Sequence, residues 1–145
     1  MKAVIQRVNK AEVWIEEKLV SSIDKGLLIF VAFLKGDTED KLNKFIDKIL
    51  NLRIFEDESG KMNYSVLDRG YDVMVVSNFT LGADVSKGRR PSFSKVMEPD
   101  EAKEMFDKLC SLFEKSGLKV GKGVFGKYME IKLVNDGPVT IFIEV

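Results

Sequence analysis

Leu27-Leu28-Ile29-Phe30-Val31-Ala32-Phe33-Leu34 is the longest apolar run of the chain, and it follows directly after Gly26. A run of this length predicts a buried strand. It is far shorter than the roughly 20 residues that a membrane-spanning helix needs, so we expect no membrane segment and no membrane partner. Residues 1–7 alternate and carry charge, unlike a signal peptide, which predicts a cytoplasmic protein.

Strand patterns lie on both sides of this run. Upstream, residues 3–8 and 12–16 are rich in Val, Ile and Trp and partly alternate with charged residues. Downstream, residues 73–76 are wholly apolar, which indicates a central strand. The remaining strand patterns cover residues 120–125, 129–134 and 139–145. Between the last two stands Asn135-Asp136-Gly137-Pro138, whose residue types predict a tight turn.

Two segments have the periodicity of amphipathic helices. The first carries apolar residues at helical spacing after the turn and cap signal Gly36-Asp37-Thr38: Leu42, Phe45, Ile46, Ile49 and Leu50. The second begins near Pro99, and its apolar stripe is formed by Ala102, Met105, Phe106, Leu109, Leu112 and Phe113. Two helices among about eight strands with hairpin-length connections predict a largely antiparallel α+β fold. Length and composition, 145 residues with 45% hydrophobic and 32% charged, indicate one domain over residues 1–145.

The residue types that are missing exclude several kinds of chemistry. The chain has no His, so it has no Ser-His-Asp triad, no His base and no His-ligated zinc. Its one cysteine, Cys110, falls on the apolar face of the second helix and is predicted to belong to the core. Lys and Arg total 23 against 23 Asp and Glu, which argues against indiscriminate coating of nucleic acid but permits a local basic patch. We expect neither a metal site nor a cofactor.

Three segments allow a functional as well as a structural interpretation. Ser77-Asn78-Phe79-Thr80 places two hydroxyls and an amide at the exit of a buried strand, where side chains and N–H groups are held rigidly, or it is simply a polar turn. Asn135–Thr140 is either a hairpin turn or a presented backbone edge at Gly137 and Pro138. Lys87-Gly88-Arg89-Arg90 is either a solvated loop or a phosphate contact, since the Arg fork matches phosphate oxygens.

Together these segments resemble the D-aminoacyl-tRNA deacylase family, and the resemblance covers essentially the whole chain. The family's first motif, Ser-Gln-Phe-Thr, matches Ser77, Phe79 and Thr80, and its second, Gly-Pro-Val-Thr, matches Gly137, Pro138, Val139 and Thr140. The chain departs from the first motif at Asn78, where the family usually has Gln. Further similar segments are residues 1–8, 48–55, 60–63 and 88–93.

The resemblance implies a cytoplasmic homodimer with a barrel-like β-sheet on which the helices pack. It implies hydrolysis of the ester that joins a D-amino acid, or glycine mischarged on tRNA(Ala), to the terminal ribose of a tRNA, without a metal. This is chiral proofreading in translation. In the family the Gly-Pro bond is cis and enters the partner subunit's active site, where it rejects L-amino acids. By this correspondence Ser77, Phe79 and Thr80 are expected to be catalytic, Asn78 and Gly137–Thr140 substrate-binding, and Lys87, Arg89 and Arg90 tRNA-binding.

Two mechanisms are open on the sequence. Thr80 attacks as a nucleophile, although nothing in the sequence supplies a base to activate it. Alternatively, the 2′-hydroxyl of the substrate helps to activate water, and backbone N–H groups near Phe79 and Thr80 stabilise the oxyanion while Ser77 positions the substrate. The second is favoured. The competing functions are a non-catalytic dimeric tRNA-binding module and a hydrolase of small D-aminoacyl esters.

Overall fold

Strand β1 (Lys2–Ile15) is the centre of the sheet in the computed structural model, which describes all 145 residues. One side of β1 pairs antiparallel with β8 (Glu130–Glu144) from Lys2 opposite Glu144 to Trp14 opposite Glu130. Its other side pairs antiparallel with β3 (Gly26–Ala32) and then with β2 (Lys18–Ile23). The strand patterns at 3–8 and 12–16 therefore belong to one continuous strand that changes neighbours between them.

The sheet is mixed and nearly closed. Its order is β2-β1-β3-β6-β7, where β6 is Asp72–Ser77 and β7 is Val120–Lys122, and both pairings of β6 are parallel. The three pairings of β1 are antiparallel, whereas long crossovers rather than hairpins lead into and out of β6. The Lys122 N–H donates to Ser21 Oγ at 3.2 Å and links β7 to β2, which leaves a barrel-like sheet. A separate hairpin consists of β4 (Phe55–Glu56) and β5 (Met62–Tyr64).

Three helices cover the sheet, one more than predicted. Helices α1 (Glu39–Leu50) and α3 (Pro99–Glu114) confirm the two amphipathic segments. Helix α2 (Val66–Arg69) has only one turn, too short for a periodic signal, and is held by a capping box between Ser65 and Asp68. None of the helices has the length and apolar character needed to cross a membrane.

Two clusters of buried apolar side chains hold the fold together. The larger lies between the sheet and the helices and includes Ile5, Ile29, Phe45 and Phe113, and the smaller fills the barrel interior around Met74. Cys110 belongs to the larger cluster, as predicted, and burial raises the pKa of its thiol to about 12. The thiol therefore stays protonated at neutral pH and contributes only packing.

The predicted tight turn at 135–138 is wrong. Residues on both sides of it pair with β1, Asn135 with Val8 and Thr140 with Gln6, so β8 runs on through the segment. Four residues, 136–139, stand opposite the single residue Arg7 and loop out of the sheet as an extended bulge. Asn, Asp, Gly and Pro occur here because the backbone must depart from the extended conformation to form the bulge, although the chain does not reverse direction.

Candidate active site

A cavity of about 680 Å³ opens where β6 ends. Ser77 is the last residue of β6, and residues 79–82 form a 3-10 turn immediately after it. Twelve of the 18 residues that line the cavity are hydrophobic, among them the buried Ala32 and Val76. Ser77, Asn78, Phe79 and Thr80 all contribute to the lining. The site is therefore an apolar cleft with a short polar segment on one wall, a common form of small-molecule site.

Backbone hydrogen bonds fix the polar segment. Asn78 N–H donates to Val31 O at 2.8 Å, which continues the pairing of β6 with β3 by one residue. The first bond of the 3-10 turn is donated by Leu81 N–H to Asn78 O at 3.2 Å. The N–H groups of Phe79 and Thr80 precede that bond, so the turn itself gives them no acceptor. Two adjacent N–H groups at a rigid strand end are suited to stabilise an oxyanion.

The Thr80 hydroxyl is oriented by its neighbour and not by a base. Its Oγ1 donates to Asn78 Oδ1 at 2.5 Å. The lining contains no carboxylate, and its only ionisable side chains are Lys127 and Tyr128. An amide oxygen does not take up a proton at neutral pH, so Thr80 has no partner that would make it an alkoxide. No group of three or more His, Cys, Asp or Glu side chains capable of holding a metal ion is present.

The bulge at 136–139 presents Gly137 and Pro138 to solvent. The Gly137–Pro138 peptide bond is cis, and both residues are exposed, whereas Val139 is buried and anchors the far side of the bulge. Asn135 braces the base of the loop. Its Oδ1 accepts from Val139 N–H at 2.9 Å, and its Nδ2 donates to Gln6 Oε1 at 3.0 Å and to Val139 O at 3.1 Å.

The buried side chain of Arg7 binds the bulge of β8 and fixes its position. Arg7 is only 5% exposed, and its Nη1 donates to Ile54 O at 2.7 Å while its Nε donates to Asp136 O at 3.1 Å. The carboxylates of Asp136 and Glu56 lie 3.2 and 3.7 Å from the guanidinium. One buried cation thus joins β1, the segment before β4 and the loop of β8.

A family model described as D-Tyr-tRNA(Tyr) deacylase matches residues 4–144. The chain belongs to this family. A D-aminoacyl-tRNA deacylase of Aquifex aeolicus is 54% identical over 99% of this chain and 97% of its own length, and one of Thermotoga petrophila is 49% identical over the same shares. The solved structure of a c-Myc DNA unwinding element binding protein is similar with a TM-score of 0.94, at 40% identity over 100% of this chain and 99% of that chain. A probable eukaryotic D-amino acid tRNA deacylase has the same fold, with a TM-score of 0.88 at 18% identity over 99% of this chain and 98% of that chain.

Within this member of the deacylase family, the predicted site residues fall into three separate places. Residues 77–80 lie together in the cavity, but none of residues 137–140 lines it. Asp136 instead lines a second cleft of about 220 Å³ together with Arg7. Lys87, Arg89 and Arg90 are exposed on the loop that an isolated bridge between Asp84 and Ser92 closes, and their side chains make no ion pair.

Sequence reasoning missed Arg7 and the rim residues Lys127 and Tyr128. A signal for Arg7 was available, because strict alternation along β1 places it on the same face as the buried Ala3 and Ile5. A buried Arg requires partners, so this position predicts a polar network. No comparable signal pointed to Lys127 and Tyr128, since their nearness to Ser77 follows from the pairing of β7 with β6, which places the segment after β7 beside the end of β6.

Proposed function

We propose that this deacylase-family protein hydrolyses the ester of D-aminoacyl-tRNA and releases the free D-amino acid and the tRNA. The observation that carries the proposal is the apolar cleft with two N–H groups on its polar wall and no carboxylate or histidine to act as a base. An aminoacyl ester is an activated acyl compound, so oriented binding and an oxyanion site suffice for its hydrolysis. The names of the 54% and 49% identical relatives support the same activity.

The mechanism that fits the cleft uses water as the nucleophile. The N–H groups of Phe79 and Thr80 stabilise the oxyanion, and Ser77 hydrogen-bonds and positions the acyl group. The substrate's own 2′-hydroxyl takes a proton from the attacking water as it passes its own proton to the departing 3′ oxygen, because the lining holds no carboxylate or histidine to act as a base. Thr80, whose proton is directed to Asn78, offers lone pairs to the cleft and acts as a hydrogen-bond acceptor.

Two copies of the chain form the complete site in this proposal. Gly137 and Pro138 are exposed and line no part of the cavity, so a single copy lacks the second motif at its cavity. Strand β8 pairs only with β1, and Val134 and Phe142 on it are about half exposed. A second copy that covers this surface buries apolar area and inserts its bulge into the neighbour's cavity.

The inserted bulge accounts for selection of the D-configuration. A wall of main chain at Gly137 and Pro138 holds the amino group and Cα of the substrate. An L side chain points into that wall, whereas a D side chain points outward and glycine has none, which makes glycyl-tRNA(Ala) a further substrate. Val139 and Thr140, braced by Asn135, keep the wall in place.

The tRNA body contacts the basic loop. Lys87, Arg89 and Arg90 make no ion pair with an acidic side chain, which supports their use as phosphate contacts. Phe93 packs edge-on against Phe79 with ring centroids 5.0 Å apart, so the loop is joined to the cavity wall.

Matched D-Tyr-tRNA and L-Tyr-tRNA, incubated with purified protein without added metal, test the function. We expect the D-ester to be lost at least about 100-fold faster, since forcing a side chain against a packed wall costs about 3 kcal/mol. The release of free tyrosine is measured against the uncatalysed rate of each ester. Equal rates for the two esters would reject the chiral wall, and loss of neither would reject the deacylase activity.

Thr80→Val tests the mechanism. We expect it to slow hydrolysis of the D-ester by no more than about tenfold, the effect of one lost hydrogen bond. Removal of a nucleophile abolishes turnover instead. Thr80→Ser is the matched control because it keeps the hydroxyl, and rapid-quench analysis shows whether an acyl-enzyme accumulates. A complete loss with Val and recovery with Ser would make Thr80 the nucleophile.

A second candidate is a non-catalytic nucleic-acid-binding module. It is favoured by the name of the 40% identical structural relative, a c-Myc DNA unwinding element binding protein. The basic loop serves this function equally well. It predicts tRNA binding without turnover and indifference to Thr80→Val, so the assay with the two esters separates it from the deacylase.

A further inference from the structure

Tyr128 stands at the mouth of the cavity with its ring in solvent. It is 89% exposed, more than any other large hydrophobic or aromatic residue, and yet it belongs to the cavity lining. Its ring takes part in no aromatic pair, and its hydroxyl makes no hydrogen bond within the chain. The other two tyrosines, Tyr64 and Tyr71, instead lie against Arg69 and bond to side chains. Tyr128 is therefore the one tyrosine whose ring is free to meet a ligand.

The turn that carries Tyr128 is anchored through the four residues that precede it. Lys127 N–H donates to Val124 O at 3.2 Å, and Gly126 supplies the positive φ of 75° that the turn requires. Phe125 packs against Phe106 of α3 with ring centroids 6.0 Å apart. Because the backbone is fixed, little conformational entropy is lost when a ligand contacts the ring, which favours binding.

Charge next to the ring indicates the class of ligand. Lys127 is exposed, makes no ion pair and is the only cation in the cavity lining. An aromatic platform beside a free cation is the arrangement that binds single-stranded nucleic acid, in which the base stacks and the phosphate meets the charge. Phe79 also lines the cavity and is 55% exposed, so the lining offers a second accessible aromatic ring.

We propose that Tyr128 and Lys127 form a subsite for the nucleotide that precedes the terminal adenosine of the tRNA. Its base stacks on Tyr128, and the phosphate that joins it to the adenosine contacts Lys127. This inference rests on the proposed function, which puts the terminal nucleoside in the cavity. A cavity of about 680 Å³ holds one nucleoside with its acyl group, so the next nucleotide lies outside it, and the rim at these two residues offers that nucleotide an exposed ring and a cation.

The dinucleotide cytidylyl-(3′→5′)-adenosine and adenosine alone are the probes, each titrated by NMR. We expect the dinucleotide to bind more tightly than adenosine. Tyr128→Ala should weaken dinucleotide binding by about 5- to 150-fold, which corresponds to the stacking free energy of one base, and leave adenosine binding unchanged. Tyr128→Phe should retain the wild-type affinity, because the ring and not the hydroxyl makes the contact.

Lys127→Ala tests the phosphate contact. It should weaken dinucleotide binding at low salt, lower the dependence of binding on salt, and leave adenosine binding unchanged. Lys119→Ala is the matched control, since Lys119 is exposed but lies outside the cavity lining and should change neither affinity.

Two outcomes would overturn the subsite. One is equal affinity of the wild-type protein for both probes. The other is a Tyr128→Ala protein whose affinity falls equally for both probes, which would assign the ring to the nucleoside pocket, or whose oligomeric state changes in sedimentation, which would assign the ring to a subunit interface. The proposed function is judged separately. If the protein binds the dinucleotide through Tyr128 but hydrolyses no D-aminoacyl-tRNA, the subsite stands and the deacylase activity is rejected. If it hydrolyses D-aminoacyl-tRNA but does not prefer the dinucleotide to adenosine, the activity stands and the subsite is rejected.

Discussion

Replacing Gly137 with Ala is expected to lower the rate of D-aminoacyl-tRNA hydrolysis by about 100-fold or more, because a displacement of about 1 Å at a positioning wall has that effect. Gly137 has a φ of 139°, a conformation that L side chains rarely adopt. A Cβ there would lie 2.8 Å from both the N and Cγ2 of Val139, and 3.3 Å from Arg7 Nη2. The bulge must shift to relieve these contacts, and with it the wall that faces the substrate.

The fold should tolerate this change, since Gly137 is exposed and lies outside the core. The measurement is the single-turnover rate on D-Tyr-tRNA, together with the thermal unfolding midpoint. Gly60→Ala is the matched control. Gly60 also has a positive φ, 74°, but a Cβ there meets nothing within 4 Å, and the residue lies in the β4–β5 turn away from the cavity. If Gly137→Ala retains full activity, the proposed wall is wrong.

Mixed dimers test whether the bulge acts on the neighbouring subunit. Thr80→Trp fills the cavity with a bulky ring and should inactivate its own site. In a mixed dimer, one subunit carries Thr80→Trp and the other carries Gly137→Ala. If the bulge acts in trans, the cavity of the Gly137→Ala subunit is open and receives the intact bulge of the Thr80→Trp subunit. Activity should therefore be about half of the wild-type value if the bulge acts in trans, because one of the two sites of the two-fold dimer is intact. A bulge that acts within its own chain restores none.

Arg7→Met is expected to destabilise the protein by about 3 kcal/mol and to abolish most of the activity, because two charge-assisted hydrogen bonds are lost and a buried carbonyl is left unpaired. The carbonyl of Ile54, which accepts from Nη1 at 2.7 Å, is the group left without a partner. Asp136 and Glu56 also lose their common cation, so the bulge is no longer tied to β1. Chemical denaturation measures the first effect, and hydrolysis of D-Tyr-tRNA the second.

Arg7→Lys separates charge from geometry. An ammonium keeps the positive charge but cannot donate from the two ends of a planar fork to Ile54 O and Asp136 O. We expect part of the stability to return while activity stays at least about tenfold below wild type, because the bulge is still displaced. Arg69→Ala is the control, since that guanidinium bonds only to Tyr71 on the surface. Full activity of Arg7→Lys would show that charge alone suffices.

Local patterns in the sequence correctly predicted most of the elements around the site. Leu42, Phe45, Ile49 and Leu50 are buried on one face of α1, as their spacing requires. The short apolar strand at 73–76 is paired on both sides, with β3 and β7, and it leads into Ser77–Thr80 at the cavity. These features depend on residues close together along the chain, so their pattern contains the information.

The same kind of reasoning failed at residues 135–138. Asn, Asp, Gly and Pro favour any departure from extended backbone, and their presence does not distinguish a reversal of direction from a bulge. The outcome depends on whether residues 129–134 and 139–145 pair with each other or with a third strand. Both pair with β1, more than a hundred residues earlier in the chain.

Local sequence patterns were enough to identify the family, the two amphipathic helices, the buried strands and the two motifs that carry the proposed chemistry. The positions of those motifs relative to each other follow from the folded chain. Residues 77–80 lie in an apolar cavity with Lys127 and Tyr128, whereas the exposed Gly137–Pro138 bulge lies over Arg7, with Asp136 in a separate cleft. The physical reason is that propensity and periodicity act over a few residues, whereas strand partners, parallel pairing at β6 and the burial of Arg7 depend on contacts between distant segments.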